Sequence, residues 1–169
     1  SVKKEKAAEV ADRKAYYDYA VENRIFLEEL VIQHPDMSAI CPSSVNTLRI
    51  ITFNDHGKSE ILWMGLRIGN GINAIDNFHA AGTVSSIDME TGKLVGNAIN
   101  KDNIEFSHHP LTGMQYDGFQ IPYFQEAKEL VLRAALESDK ILVVGWDVAI
   151  SENGPVVIEG NRRPGFDIV

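Results

Sequence analysis

The sequence predicts an α+β domain. Three observations carry this: a long stretch rich in Thr, Ile and Leu folds back once near His56 and Gly57, a second apolar pair brackets Ser151 to Gly154, and two segments with helical periodicity stand apart from both. Strands that follow one another directly through tight turns make antiparallel ladders, and helices outside those ladders gather on one side of the sheet.

Residues 5–23 place Ala8, Val10, Ala11, Ala15, Tyr16, Tyr19 and Ala20 among charges, with no Gly or Pro, which predicts a helix with one apolar face. Ile25, Phe26, Leu27, Leu30, Val31 and Ile32 then read as a strand carrying two adjacent acids, Glu28 and Glu29, a placement that needs a reason. Residues 34–44 hold two prolines and read as a loop or a short helix opening at Pro35. Residues 46–53 and 60–68 form a hairpin about Asn54, Asp55, His56 and Gly57. Between Gly69 and Gly118, repeated glycines separate short apolar pieces such as residues 83–87 and 94–99. Pro122 opens a second helix to about Leu136, with Phe124, Ala127, Leu130, Val131, Ala134 and Ala135 inward. Residues 141–150 and 155–158 are the last strands.

The 169 residues, 44% of them hydrophobic, suffice for one domain with a real core. With 16 Lys+Arg against 24 Asp+Glu the net charge is −8, and no basic run extends beyond Lys3, Lys4 and Lys6, so a phosphate backbone is a poor partner. Cys41 is the single cysteine, which excludes an internal disulfide and fits a reducing compartment. No apolar run reaches the length of a membrane span, and the first residues lack a signal-peptide core, so a cytoplasmic protein without membrane insertion is expected. Gly69, Asn70 and Gly71 do not complete a dinucleotide or P-loop signature.

The last hairpin carries the chemistry. With Glu152, Asn153 and Gly154 as a three-residue loop, Ser151 faces Pro155, Ala149 faces Val157, Asp147 faces Glu159 and Gly145 faces Asn161. Asp147, Glu159 and Asn161 then share one side, while Trp146, Val148, Ile150, Val156 and Ile158 supply an apolar reverse side. Two opposed carboxylates repel unless a cation lies between them. An all-oxygen set of two carboxylates and an amide suits Mg²⁺ with waters and phosphate oxygens, and the absence of His or Cys disfavours zinc. The bland alternative is an edge hairpin whose acids are merely solvated.

Asp147, Glu159 and Asn161, followed by Pro164 and Gly165, resemble the metal-binding end of ATP-grasp enzymes. The stretches EELVIQHPDM, PSSVNTLRI, DNFHAAG, HPLTG, IPYF and VGWDVAISENGPVVIEGN, in that order, resemble the sugar-transfer-associated ATP-grasp branch from about Phe26 to Phe166. That branch is linked with bacterial cell-surface polysaccharide synthesis, and some members carry a hexapeptide-transferase label, although no hexapeptide repeat occurs here.

The resemblance implies the C-terminal part of an ATP-grasp fold, an antiparallel sheet flanked by helices, with ATP and Mg²⁺ as cofactors. Glu28, Glu29, Leu30 and Val31 match the hinge strand whose backbone takes the adenine edge. By order along the chain, Ser44 or Asn46 falls near the ribose, and Arg49 and Arg67 lie where their charge reaches phosphate, the face being open. Asn77 and His79 stand where relatives place a phosphate-contacting lysine, a departure from the pattern; His79 has the chemistry of a phosphate donor or proton shuttle. His108 and His109 read as loop structure, and Arg162 and Arg163 are placed to meet an anionic substrate or the acyl phosphate, with at most one of the two pointing inward.

The implied activity is that of a ligase which activates a carboxylate as an acyl phosphate for attack by an amine or other nucleophile. A phosphotransferase and a non-catalytic nucleotide-binding scaffold are the alternatives. The partners are small molecules, with a sugar-linked acceptor as one option, and the oligomeric state is open. Nothing before residue 24 resembles the lysine-bearing, Gly-rich first subdomain of these enzymes. Residues 1–169 are therefore expected to form one C-terminal subdomain of a longer enzyme, inactive by itself.

Overall fold

A computed structural model describes residues 13–25, 29–70, 82–138 and 140–166. The chain divides into two compact units, Ser1–Leu30 and Val31–Val169. In the first, helix α1 (Arg13–Glu22) carries a Lys14–Asp18 pair at 2.7 Å, one turn apart.

In the second unit the elements are α2 (Pro35–Ile40), β1 (Thr47–Asp55), β2 (Lys58–Ile68), β3 (Thr83–Ile87), β4 (Leu94–Asn100), β5 (Glu105–Phe106), α3 (Phe124–Glu137), β6 (Val143–Ser151) and β7 (Gly154–Asn161). The described strands form one antiparallel sheet in the order β5-β4-β3-β2-β1-β6-β7. The α+β expectation and the antiparallel sheet with flanking helices are what the chain adopts.

The expected strand over residues 25–32 is not formed at residues 25 and 29–32, and residues 26–28 lie outside the described set. Instead Gln33 makes a single antiparallel bridge to Ser151, with His34 N–H donating to the Ile150 carbonyl at 2.9 Å. Pro35 follows at once, has no N–H to extend a ladder, and starts α2. The second helix begins at Phe124 rather than Pro122, because Tyr123 takes a left-handed conformation (φ 53°) that cannot belong to it.

Both hairpins close with two residues. His56 and Gly57 have φ of 46° and 78°, the positive pair that matches the twist of a tight hairpin. At the second, Ser151 pairs with Gly154 and leaves Glu152 and Asn153 as the loop, not the expected three residues. Ser151 Oγ donates to the Gly154 carbonyl at 2.7 Å, which holds the shorter turn.

An extra residue, Ile158, is then accommodated as a bulge, and the ladder regains the expected pairing of Asp147 with Glu159 and Gly145 with Asn161. The expected reverse side changes as a result: Val157 packs against the core, and Val156 and Ile158 are exposed. The β1–β2 hairpin has the same design, with Leu62 as the extra residue between Ile61 and Trp63.

One face of the sheet is the core. Leu48, Ile50, Met64, Leu66, Ile68, Trp146, Val148 and Ile150 pack there with Phe124, Ala127, Val131 and Ala135 of α3. Trp146 Nε1 donates to Thr52 Oγ1 at 2.9 Å, which satisfies the indole within the interior. Asn54 ties the end of α3 to the sheet by donating to the carbonyls of Ala135 (3.0 Å) and Ile141 (2.8 Å). Asn54→Ala removes the side-chain donor shared by these carbonyls, of which that of Ala135 keeps the Ser138 N–H, and is expected to lower stability by about 1–3 kcal/mol, read from the urea unfolding midpoint.

Candidate functional site

The register of β2, β1, β6 and β7 arranges the other face in rows. Arg67, Thr47 and Ala149 form one, Gly65, Arg49, Asp147 and Glu159 the next, and Trp63, Ile51, Gly145 and Asn161 the third. Alternation along each strand thus puts both arginines and all three oxygen-bearing side chains on the face away from the core.

Asp147 is the centre. Arg49 Nη2 donates to its Oδ2 at 3.1 Å, and Arg67 Nη1 donates to the same oxygen at 3.1 Å. Arg49 Nε stands 2.6 Å from Oδ1, yet out of line for a hydrogen bond, so that buried oxygen keeps no hydrogen-bonding partner. The side chains of Asp147, Arg49 and Arg67 are 8%, 13% and 12% exposed, so their attraction is poorly screened.

Burial raises the Asp147 carboxyl above its ordinary range, against the opposing pull of Arg49 and then Arg67. Glu159 is shifted down, chiefly by a hydrogen bond from Asn161, whose Nδ2 donates to Glu159 Oε1 at 2.8 Å. The two facing acids are therefore pushed apart in proton affinity, and Asn161 keeps its amide oxygen for another partner.

Among the described residues no three His, Cys, Asp or Glu side chains gather as a metal cluster. The set that fits a divalent ion here is mixed: Asp147 with one oxygen lacking a hydrogen bond, Glu159, and the Asn161 amide oxygen. All-oxygen donors of this kind suit Mg²⁺.

Of the other expected site residues, Arg162 and Arg163 are exposed directly after β7. Pro164 packs over Gly145, where an added Cβ would stand 2.6 Å from Pro164 Cβ and 3.6 Å from Arg49 Nη1. Asn46 is fully buried and apart from the rows: its Nδ2 donates to the carbonyl of Met37 (2.9 Å) and its Oδ1 accepts from Gly69 N–H (3.3 Å). Ser44 is buried as well, with its Oγ 3.4 Å from Cys41 Sγ.

Glu29 and Leu30 are exposed and belong to the first unit; Glu28, Asn77 and His79 lie outside the described residues. His109, read as loop structure, is buried. Its Nδ1 accepts from the N–H groups of Leu111 and Thr112, so Nε2 carries the proton given to the Gly69 carbonyl at 2.9 Å. Sequence reasoning missed the double clasp on Asp147 and the place of Trp63; the alternation Trp63, Gly65, Arg67 on β2 was the available signal.

The two acids differ in what they hold. Asp147→Asn leaves two buried guanidiniums without a counter-charge and is expected to destabilise the fold by about 3 kcal/mol, whereas exposed Glu159→Gln costs under about 1 kcal/mol, both by urea unfolding.

Among the described residues no helix is long and apolar enough to cross a membrane. No curated protein and no solved structure matches the chain. Residues 17–169 match the family described as sugar-transfer associated ATP-grasp. With nearly the whole chain matched and the two arginines, two acids and amide gathered on one sheet face, the chain belongs to the sugar-transfer associated ATP-grasp family.

Proposed function

We propose that this protein works as an ATP- and Mg²⁺-dependent ligase that activates a carboxylate as an acyl phosphate, in the building of bacterial cell-surface polysaccharide. The observation that carries the reading is Asp147, buried between Arg49 and Arg67 and paired in register with Glu159. Family membership supports an ATP-dependent, ligase-like chemistry in a sugar-transfer context.

In this reading Asp147, Glu159 and Asn161 hold Mg²⁺, which when bound neutralises charge on the transferring phosphoryl oxygens. Arg49 and Arg67 are already fixed by Asp147 and bring their positive charge to phosphate. Fixed donors shielded from water stabilise developing negative charge without having to reorganise. The substrate carboxylate attacks the γ-phosphorus and the bond to the bridging oxygen breaks, releasing ADP. A nucleophile then attacks the acyl carbon and phosphate departs. Arg162 or Arg163 meets the anionic substrate, and Asn46 positions the chain near the ribose through the backbone it holds; for Asn77 and His79 a phosphate role, and for residues 28–31 a role at the base, rest on the family resemblance alone.

Two measurements on the full-length protein test this. Calorimetric titration is expected to show Mg²⁺-dependent ATP binding weakened at least about tenfold by Glu159→Ala, a loss of roughly 1.4 kcal/mol, with the unfolding midpoint little changed. Unchanged binding would favour a scaffold. Hydroxylamine is expected to trap a hydroxamate as ADP forms; phosphorylated product without hydroxamate would identify a phosphotransferase instead.

A further inference from the structure

Trp63 is unexplained by the clasp on Asp147. It lies on the same face, in the third row with Ile51, Gly145 and Asn161, and it stands outside the core cluster that takes in Trp146. Trp146 is 7% exposed and bonded to Thr52, whereas Trp63 is partly exposed. The outer edge of the Trp63 indole fills the space over Gly65, where any Cβ would collide with ring carbons Cη2 and Cζ2. Gly65 pairs with Arg49, so the indole lies beside the row that holds the arginine and both acids. Leu62, the bulged residue, immediately precedes Trp63, and bulges beside sites commonly re-aim a side chain.

The rows have a direction. At one end Gln33 bridges Ser151, next to Ala149 and Thr47. The acids come next; the Trp63 backbone lies one row beyond them, about 7 Å along the strands, and its indole reaches back over Gly65 toward their row. A base on Trp63 would sit one row from the acids, too close for the ribose and phosphates that must lie between. The third row is therefore on the acceptor side.

We propose that Trp63 is the floor of a subsite for a sugar acid, whose ring lies on the indole while its carboxylate turns to Arg49; this rests on the ligase reading above. A pyranose face presents polarised C–H bonds to the negative face of the indole, and because the indole edge lies over Gly65, the cross-strand partner of Arg49, a ring on it can turn its carboxyl group to that guanidinium. Pro164 covers Gly145 at the row's inner edge, and Arg49 Nη1 lies 3.6 Å from where a Gly145 Cβ would be, so the guanidinium reaches toward the third row. The substrate class assigned is thus a uronic acid, held by one aromatic surface and one guanidinium.

The test titrates the full-length protein, saturated with Mg²⁺ and a non-hydrolysable ATP analogue, with glucuronate and with galacturonate, following tryptophan emission and heat. At least one uronate is expected to change the emission of the native protein and not that of Trp63→Phe, which keeps an aromatic ring over Gly65. Trp63→Ala is expected to weaken uronate binding about tenfold with Mg·ATP affinity within about twofold, the size of one lost ring contact. Equal uronate binding in Trp63→Ala, no binding of either uronate to the native protein, or a parallel fall in Mg·ATP affinity overturns the proposal. Trp63-dependent uronate binding without hydroxamate formation supports the subsite and defeats the ligase reading, so the two failures are distinguishable.

Discussion

The clasp of Arg49 and Arg67 on Asp147 is the interaction on which the site depends. A carboxylate at 8% exposure is costly unless paired, and it is paired here from two different strands. The same contacts fix both guanidiniums on one face of β1 and β2. A single buried charge therefore sets the geometry of two donors, and the acid that faces it, Glu159, remains at the surface with its charge available.

The bulges convert ordinary hairpins into this arrangement. Each hairpin closes with two residues, and each then takes up one extra residue, Leu62 or Ile158, on its way to the functional rows. Without Ile158 as an extra residue, every side chain of β7 beyond it would move to the opposite face, and Glu159 and Asn161 would turn toward the core. Without Leu62, Trp63 and Arg67 would do the same. The turns remain tight while the far ends of the strands keep the register that the chemistry needs.

Around the sheet, buried and half-buried polar side chains replace regular structure. Gln33 Nε2 donates to the Ser44 carbonyl at 3.1 Å, Asn46 joins the backbone of Met37 to that of Gly69, and His109 holds its own loop while bonding Gly69. These contacts hold the ends of β1 and β2 where Thr47 and Arg67 emerge. Their residues look like ligand candidates in a sequence, because the same amide or imidazole serves a backbone carbonyl as well as a nucleotide.

The sequence by itself determined the α+β class, the two hairpins, the amphipathic inner face of α3, and the pairing of Asp147 with Glu159 and Gly145 with Asn161. These follow from local periodicity and turn chemistry, which act over a few residues. Only the tertiary structure decided that Arg49 and Arg67 close on Asp147, since that contact joins residues 98 and 80 positions apart through neighbouring strands. It also decided that Asn46 is buried, that Val157 rather than Val156 and Ile158 meets the core, and that Trp63 lies over Gly65. A one-residue bulge reverses the face of everything after it, and nothing in a strand's own composition marks where the extra residue is placed.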